Sequence, residues 1–347
     1  MSAIPESVRK ALRARRMEER VAAVEALAHI DPAESTPILV GALRDRYHYV
    51  GWLAAKILGQ RCDPETVPAL VECFAWMCEE GKTRDPGCRI RVELATMLGN
   101  LGYTEAAEVL AVGLRTVQME MDGPVLVDTA LRLRGCCALA LSQIRPPGAL
   151  LEITLLLFGT VRTADGYVEV RAPEEAATAL GYWGDPAAIL PLAAILGRPA
   201  LATPEVVASC MDAIVELQAP EATSLLAPYL QGSGAAHGGD TAFLCARAAL
   251  ALARTRRPET LSILEACLGS TADESCETVA IALASLRSDE ARDALLRASS
   301  HPRSSVRAAT AAGLALFPDE ETRAVLQRMA ASDRSAQVRR AASTALR

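Results

Sequence analysis

Two segments near the end of the chain carry nearly the same pattern, 32 residues apart. Residues 301–317 are HPRSSVRAATAAGLALF and residues 332–347 are SDRSAQVRRAASTALR. When Val306 is aligned with Val338, an arginine follows in both segments and the small residues after it also coincide. Self-similarity at a fixed period of roughly 20 to 50 residues is typical of repeat architectures. The sequence therefore predicts a repeat protein.

Similar units occur along the chain, and each begins with a turn signal followed by a short helix. Asp or Ser before the helix can cap it, proline suits its first turn, and glutamate complements the helix dipole. A second helix, apolar and rich in alanine, follows, as in VGWLAAKILG and IRVELATMLG. With the N-terminal helices, this spacing predicts about ten helical hairpins. The turn signals lie at positions 31, 63, 103, 146, 185, 219, 257, 288 and 318.

The composition favours helices over strands. Hydrophobic residues make up 51% of the chain, but aromatic residues make up only 4%, and alanine and leucine are abundant. Such a composition favours helices. One hairpin leaves apolar surface on both flanks, so neighbouring hairpins must stack. We expect an all-α fold, a right-handed α-solenoid of about ten stacked helical hairpins that forms a single domain over residues 1–347.

A pattern of spaced residues marks several of the second helices. An Asp is followed five positions later by an aliphatic residue, then by Arg, and further on by Ala and Leu; the Asp is Asp85, Asp128 or Asp333. This pattern resembles HEAT repeats of the bacterial type that phycobilin lyase subunits share. The resemblance covers nearly the whole chain, although Gly51 stands where one repeat should have arginine. It implies a structural ladder between neighbouring repeats, formed by Asp85, Arg91, Asp128, Arg134, Arg307, Asp333 and Arg339.

The charge distribution bears on the partner. The net charge is −6, and residues 1–20 and 301–347 both carry more basic than acidic side chains, so residues 21–300 are strongly acidic. Duplex DNA is a poor partner for an acidic surface. We expect a protein or peptide partner, and the acidic middle favours a basic one.

The sequence also bears on the compartment. No stretch of 18 apolar residues occurs, and the N-terminus is charged where a signal peptide has an apolar core. Ten cysteines are present, and several lie beside alanine in helical segments, where they resemble small buried thiols in a reducing compartment. We expect a cytoplasmic protein with no membrane segment.

Few residues have the spacing that catalysis or metal binding requires. Gly81-Lys82-Thr83 resembles part of a phosphate-binding loop, but Trp76 stands where its first glycine belongs. None of the four histidines precedes a glutamate, as the HEAT-type deoxyhypusine hydroxylases require. The four cysteines between 62 and 88 include no CxxC pair, so they do not predict zinc. We predict no catalytic residue, metal or cofactor.

An enzymatic alternative stays open on the resemblance alone. The chain could be a HEAT-like enzyme or enzyme subunit, either similar to a bilin lyase or a DNA glycosylase that acts on alkylated bases. The glycosylases use tryptophan, carboxylate and arginine on a concave surface. Here Trp52 or Trp183 could combine with Asp128 and Arg134, although the acidic middle and the three lysines of the chain argue against binding phosphates.

Two features predict where a partner binds. The first is the segment DRYHYVGW, which concentrates Tyr47, His48, Tyr49 and Trp52 at the start of a second helix in a chain with few aromatics. Tyr49 and Trp52 are three residues apart and can share one face. Aromatic anchors beside arginines suit peptide recognition. The alternative is that these rings fill space against the N-terminal helices.

The second feature is the uneven length of the connections between 79 and 240. Five connections from a first to a second helix are lengthened, at 79–88, 120–125, 159–173, 197–204 and 232–240. Because all join the same two positions of a hairpin, we expect them along one edge, as in a binding edge. Neutral drift in loop length is the alternative. The connection 159–173 is the strongest candidate, with Arg162, Asp165, Tyr167, Glu169 and Arg171 as partner-binding residues.

These observations lead to one functional hypothesis. We expect a non-catalytic scaffold or adaptor that holds a protein partner on its concave face and on the long-looped edge. HEAT-type folds host many functions, so the identity of the partner does not follow from the pattern.

Overall fold

The computed structural model describes residues 4–61, 64–163, 166–231, 240–270 and 273–347. Its contacts divide the chain into two compact units, Met1–Trp183 (unit 1) and Gly184–Arg347 (unit 2). The prediction that residues 1–347 form a single domain stays a prediction.

Unit 1 consists of paired helices and two short β-hairpins. Most of its helices are between 9 and 14 residues long. Its elements are α1 (Glu6–Ala11), α2 (Met17–Leu27), α3 (Pro32–Ala42), α4 (His48–Gly59), α5 (Val67–Glu79), α6 (Gly81–Arg84), α7 (Arg89–Asn100), α8 (Ala107–Arg115), β1 (Met119–Asp122), β2 (Val125–Asp128), α9 (Leu131–Ile144), α10 (Ala149–Leu157), β3 (Thr160–Thr163), β4 (Gly166–Glu169) and α11 (Pro173–Trp183).

In the described residues of unit 2, all regular secondary structure is helical. Its elements are α12 (Ile189–Leu196), α13 (Pro204–Glu216), α14 (Ala222–Leu230), α15 (Thr241–Thr255), α16 (Pro258–Ser270), α17 (Asp273–Ala284), α18 (Asp289–Ala298), α19 (Ser304–Leu314), α20 (Glu320–Ser332) and α21 (Ala336–Ala345).

Within each unit the hairpins stack through their second helices. In unit 1, α4 packs on α7, α7 on α9, and α9 on α11; in unit 2 the same order runs from α13 through α15, α17 and α19 to α21. Each of these helices also packs against the first helix of its own hairpin. The described residues form ten such pairs, so the predicted all-α solenoid of about ten stacked hairpins is confirmed.

Several of the turn signals of the sequence act as helix caps, at Asp31, Asp185, Ser288 and Asp319. The side chain of Asp31 accepts a hydrogen bond from Ala33 N at 3.0 Å, and Pro32 occupies the first turn of α3. In unit 2, Asp319 caps α20 by accepting from Thr322 N at 2.9 Å. Each cap satisfies an amide that the helix itself leaves without an acceptor.

Small residues allow the second helices to approach closely. A Cβ atom on Gly99 of α7 would lie 2.7 Å from Ala140 Cα of α9. The helix backbones therefore touch at this point, and any side chain at position 99 would force them apart. This close packing explains why alanine, rather than bulky residues, is frequent in these helices.

The structure contains two β-hairpins, and the sequence analysis predicted no strands. β1 pairs antiparallel with β2, with Met119 opposite Asp128, and β3 pairs with β4, with Thr160 opposite Glu169. Both lie in lengthened connections between the first and second helices of a pair. They leave the fold class unchanged, but they give these connections a fixed backbone.

Candidate functional site

A cavity of about 480 Å³ opens in unit 1 where three parts of the chain meet. The first turns of α4 form one wall, the connection between α6 and α7 forms a second, and the β1–β2 hairpin forms a third. The cavity is lined by His48, Tyr49, Trp52, Asp85, Pro86, Gly87, Arg89, Glu120, Met121, Asp122, Val127 and Thr129. The aromatic segment at the start of α4 and two of the five lengthened connections therefore line the same cavity.

The aromatic wall is formed by two neighbouring rings of α4. The Tyr49 and Trp52 rings lie 5.4 Å apart between centroids, as expected for residues three apart on one helix face. The Trp52 indole is held in place because its Nε1 donates to Glu93 Oε1 at 3.2 Å, and Lys56 Nζ lies 4.7 Å from the ring centroid. Tyr49 is 46% exposed. The wall thus combines a fixed ring with an accessible one.

Tyr47 has a different position from its neighbours. Its hydroxyl donates to Arg15 O at 2.6 Å, and the Arg46 guanidinium lies 4.8 Å from its ring centroid. Arg46 also donates to the carbonyls of Ala14 and Arg15. Tyr47 therefore packs against the N-terminal helices, as the alternative interpretation expected, whereas His48, Tyr49 and Trp52 line the cavity.

The wall that the β1–β2 hairpin forms carries carboxylates. Glu120 Oε2 accepts from Gly87 N at 2.8 Å and from the Thr129 hydroxyl. Burial alone would raise the pKa of Glu120, but the hydrogen bonds from Thr129 and from Gly87 outweigh it and lower the pKa below its ordinary value. Asp122, at the end of β1, is exposed. At neutral pH this wall holds an oriented, ionised carboxylate.

A buried polar network fixes the connection between α6 and α7 to the β1–β2 hairpin. Arg91 Nη2 donates to Gln118 Oε1 at 2.6 Å, and Gln118 Nε2 donates to Asp85 O at 3.2 Å. Asp85 in turn accepts from the amides of Ile90 and Arg91 and so caps α7. Because these partners are buried, the cavity walls are held rigidly in relation to one another.

The residues assigned to the ladder form ion pairs. Arg91 Nε lies 3.0 Å from Asp85 Oδ2 with both side chains 1% exposed, and Arg134 Nη2 lies 2.7 Å from Asp128 Oδ2. Each of these two pairs lies within its own hairpin. The third pair joins neighbouring hairpins of unit 2, with Arg307 Nε 2.8 Å from Asp333 Oδ2.

Two arginines assigned to the ladder also donate hydrogen bonds to backbone carbonyls. Arg134 also donates to Thr116 O at 2.8 Å and to Arg171 O at 3.1 Å, so it joins the connection of its own hairpin to that of the next. Arg339 Nη1 donates to Asp333 O at 2.7 Å. In unit 1, the Gln118–Asp85 contact joins the first lengthened connection to the second, and the Arg134 contacts join the second to the third.

The connection 159–173, the strongest candidate from the sequence, does not contribute described residues to the cavity. Arg162 Nη2 lies 2.8 Å from Glu152 Oε1, a carboxylate that Arg115 also contacts. Glu169 is exposed, and the Arg171 carbonyl accepts from Arg134. Asp165 and the side chain of Tyr167 lie outside the described residues. So does most of the connection 232–240, and the connection 197–204 belongs to unit 2.

The other groups that bear on chemistry are possible metal ligands, cysteine thiols and the residues of a nucleobase site. No group of three His, Cys, Asp or Glu side chains there could hold a metal ion. Burial raises the pKa of the Cys88 thiol to about 11 and that of the Cys210 thiol to about 12, which keeps both protonated at neutral pH. Arg134 and Trp183 are buried, so they offer no surface to a nucleobase. In the described chain, no helix is long and apolar enough to cross a membrane.

A family model for HEAT repeats matches residues 5–75 and 276–347. These two regions match HEAT repeats, and together they cover 143 of the 347 residues. Nothing among the curated proteins matches the sequence.

Several solved structures are similar to this chain. An engineered protein is 20% identical over 100% of this chain and 98% of its own, with a TM-score of 0.40. The CpcE–CpcF complex of phycocyanin lyase from Nostoc sp. PCC7120 is 21% identical over 77% and 93%, with a TM-score of 0.41. The karyopherin Kap121p bound to the C-terminus of the phosphatase Cdc14p is 12% identical over 99% and 46%, with a TM-score of 0.48. The chain thus spans less than half the length of Kap121p.

The repeat that departs from the HEAT pattern has a steric reason to do so. A Cβ on Gly51 would lie 2.9 Å from Leu43 O and 2.8 Å from Ile90 Cδ1. The backbone of α4 therefore fits against its neighbours only if position 51 has no side chain. An arginine there would have no space.

Sequence reasoning missed the residues of the acidic wall, Glu120 and Thr129. One signal was present, because Gly123-Pro124 lies between the runs MEMD and VLVD, and glycine at the first position of a two-residue loop is typical of a hairpin. That pattern predicts β1 and β2. The proximity of Glu120 to Gly87 depends on packing between two hairpins, and no local pattern encodes it.

Proposed function

We propose that this chain is a non-catalytic protein-binding scaffold or adaptor, and that the cavity of unit 1 receives a side chain of its partner. One observation carries the proposal: the aromatic cluster of α4 and two of the lengthened connections, predicted separately as binding features, meet in the same cavity. Exposed aromatic anchors next to rigid polar groups are typical of binding hot spots.

The charges of the cavity favour a basic partner. Glu120 and Asp122 line the cavity, the Asp85 carboxylate is paired with Arg91, and Arg89 is the one Lys or Arg residue of the described lining. A lysine or arginine side chain could place its cation at Glu120 and its stem against the Tyr49 ring. The acidic excess of residues 21–300 would attract such a partner over a longer distance. That the protein acts in the cytoplasm stays a prediction.

The experiment is a comparison of matched variants of the full chain. The tagged protein and its variants are incubated with a lysate of the source cells, and the captured proteins are identified by mass spectrometry. Tyr49→Ala and Glu120→Gln should lose the partner. Tyr182→Ala should retain it, because Tyr182 is 55% exposed in the same unit but does not line the cavity.

The captured protein is then purified, and its affinity is measured by calorimetry. We expect Tyr49→Ala to weaken binding by about tenfold or more, as for a hot-spot ring. Equal binding by all three variants, each with an unchanged melting temperature, would refute the cavity as the binding site.

The long-looped edge is part of the same proposal. Glu169→Ala removes an exposed carboxylate of the β3–β4 hairpin and leaves Val161 in the core and the Arg162–Glu152 ion pair in place. If partners bind along the whole edge, this substitution should also weaken binding of the purified partner. Full affinity would confine the site to the cavity.

A further inference from the structure

A groove in unit 2 is bordered by arginines that the fold does not fully use. It has a volume of about 500 Å³ and lies between the turn from α15 to α16 and the turn from α17 to α18. The sequence of unit 2 contains no lysine, so its permanently charged cations are all arginines. The groove is lined by Arg256, Arg257, Pro258, Leu261, Leu286, Arg287, Ser288 and Glu290.

Two of these arginines have a backbone conformation that favours glycine. Arg256 has φ of 50° and Arg287 has φ of 55°, each just after the end of a second helix. A left-handed residue at this place is usually glycine, because a Cβ atom makes the conformation unfavourable. An arginine at either position therefore has a higher conformational free energy than a glycine would have. Only the arginine side chain can offset this difference.

Comparison with unit 1 shows what such an arginine can do for the fold. Arg145, which follows α9 with φ of 54°, donates from Nη2 to Tyr182 O at 3.3 Å in the next hairpin. Arg287 makes the equivalent contact, from Nη1 to Leu316 O at 3.3 Å. No atom of the described residues accepts a hydrogen bond from the Arg256 guanidinium. The Arg256 side chain therefore contributes fewer contacts to the fold than the side chains of Arg145 and Arg287.

The nearby acidic groups do not neutralise Arg256. The Glu290 carboxylate accepts from its own amide and from Ser288, and these contacts lower its pKa. Glu259 accepts from the Thr223 hydroxyl at 3.1 Å. Neither forms an ion pair with the groove arginines within 4 Å in the described chain. Arg257 is committed to the carbonyls of Ala219 and Pro220, at 2.5 Å each.

The walls between the cations are apolar. Pro258 and Leu261 of α16 form one side, and Leu286 forms the other. A small inorganic anion would leave this apolar surface in water. A chain that carries a carboxylate next to an aliphatic side chain would satisfy both the cations and the walls.

We propose that this groove binds an acidic peptide segment, with a carboxylate at Arg256 and Arg287 and an adjacent aliphatic side chain against Leu261 and Leu286. The inference is independent of the basic partner proposed for unit 1, because it concerns other residues and the opposite charge.

The first test measures binding of a defined probe by fluorescence anisotropy. The full chain is titrated into a fluorescein-labelled hexapeptide Glu-Leu-Glu-Leu-Glu-Leu and, in parallel, into the same peptide with Gln in place of Glu. We expect the acidic peptide alone to bind, and its affinity to fall as the salt concentration rises. Equal affinities for the two peptides would overturn the proposal.

The second test uses variants at the left-handed positions. Arg256→Gly should lower the affinity for the acidic peptide about tenfold, since it removes one charge-assisted contact. It should not lower the melting temperature, because glycine relieves the backbone. The matched control, Arg145→Gly, should leave the affinity unchanged. Arg256→Lys should restore part of the affinity because it restores the charge.

Two outcomes would contradict this assignment. If Arg256→Gly lowers the melting temperature and leaves the affinity intact, the arginine has a structural role. If a Gln-Leu peptide with one phosphoserine binds and the Glu-Leu peptide does not, the groove recognises phosphate rather than a carboxylate.

Discussion

Unit 1 and unit 2 stack hairpins in the same way but differ in their connections and in their charged surfaces. In unit 1, the connections inside three successive hairpins are long and contain two β-hairpins, and the first two of these connections help to enclose a cavity with aromatic and acidic walls. In the last hairpins of unit 2, the connections are as short as 333–335, and the groove lies instead at the turns between hairpins, bordered by arginine. The stacked helices supply the fold, and the connections decide where a site can form and with which charge.

The largest expected effect concerns the buried ion pairs of the two units. Arg91→Ala in unit 1 leaves Asp85, 1% exposed, without its cation, and should lower the free energy of unfolding by about 3–5 kcal/mol. Arg307→Ala in unit 2 frees Asp333, whose side chain is 11% exposed, and should cost about 1–3 kcal/mol. Urea denaturation of both variants checks the order. Equal costs would remove the distinction between the buried pair and the partly hydrated one.

Asp128→Ala should lower the free energy of unfolding less than Arg91→Ala does. The carboxylate is 23% exposed, but its loss leaves the buried Arg134 guanidinium without an anion, which we expect to cost about 1–3 kcal/mol. Partner affinity of the folded variant should stay unchanged, because neither residue lines the cavity. A loss of affinity at unchanged stability would assign Asp128 to the binding site instead.

The sequence predicts the stacked hairpins well because their signals are local. Caps such as Asp31 and Asp319 and the alanine-rich second helices act within one turn or one helix face. The contacts that build the cavity are of a different kind. Glu120 reaches Gly87, and Arg162 reaches Glu152, across separate elements, so only the packed structure reveals them. For that reason the aromatic wall could be predicted and the acidic wall could not.

Close packing of the second helices should also differ between the units. Gly99→Ala in unit 1 places a Cβ 2.7 Å from Ala140 Cα, whereas Gly313→Ala in unit 2 meets Ala280 O at 2.9 Å and two methyl groups of Leu295 at 3.2 Å. Overpacking of this kind costs about 1–3 kcal/mol, and we expect the larger value for Gly99. The melting temperatures of both variants check this, with Gly41→Ala as control because that Cβ meets no atom within 4 Å. A control as unstable as Gly99→Ala would contradict the steric explanation.

The smallest expected effect is the pH dependence of the interhairpin pair in unit 2. The Arg307 hydrogen bond lowers the pKa of Asp333 to about 2. The unfolded value is about 3.9, so the stabilisation is complete above that pH and is lost as the pH falls toward the folded value. Asp333→Asn should therefore lose less stability than the unmodified chain when the pH is lowered through this window. The free energy of unfolding of both proteins is measured by urea denaturation at a series of pH values. If it falls in parallel for both proteins, the ionisation of Asp333 is not coupled to folding.

The contrast between the two sites is tested most directly by one cross-comparison of affinities. The full chain, Glu120→Gln and Arg256→Gly are each titrated into labelled Lys-Leu-Lys-Leu-Lys-Leu and Glu-Leu-Glu-Leu-Glu-Leu peptides, and anisotropy gives six dissociation constants. We predict that Glu120→Gln weakens only the basic peptide and that Arg256→Gly weakens only the acidic one, by about tenfold each. If each variant changes both affinities alike, or neither, the two units do not carry separate sites of opposite charge.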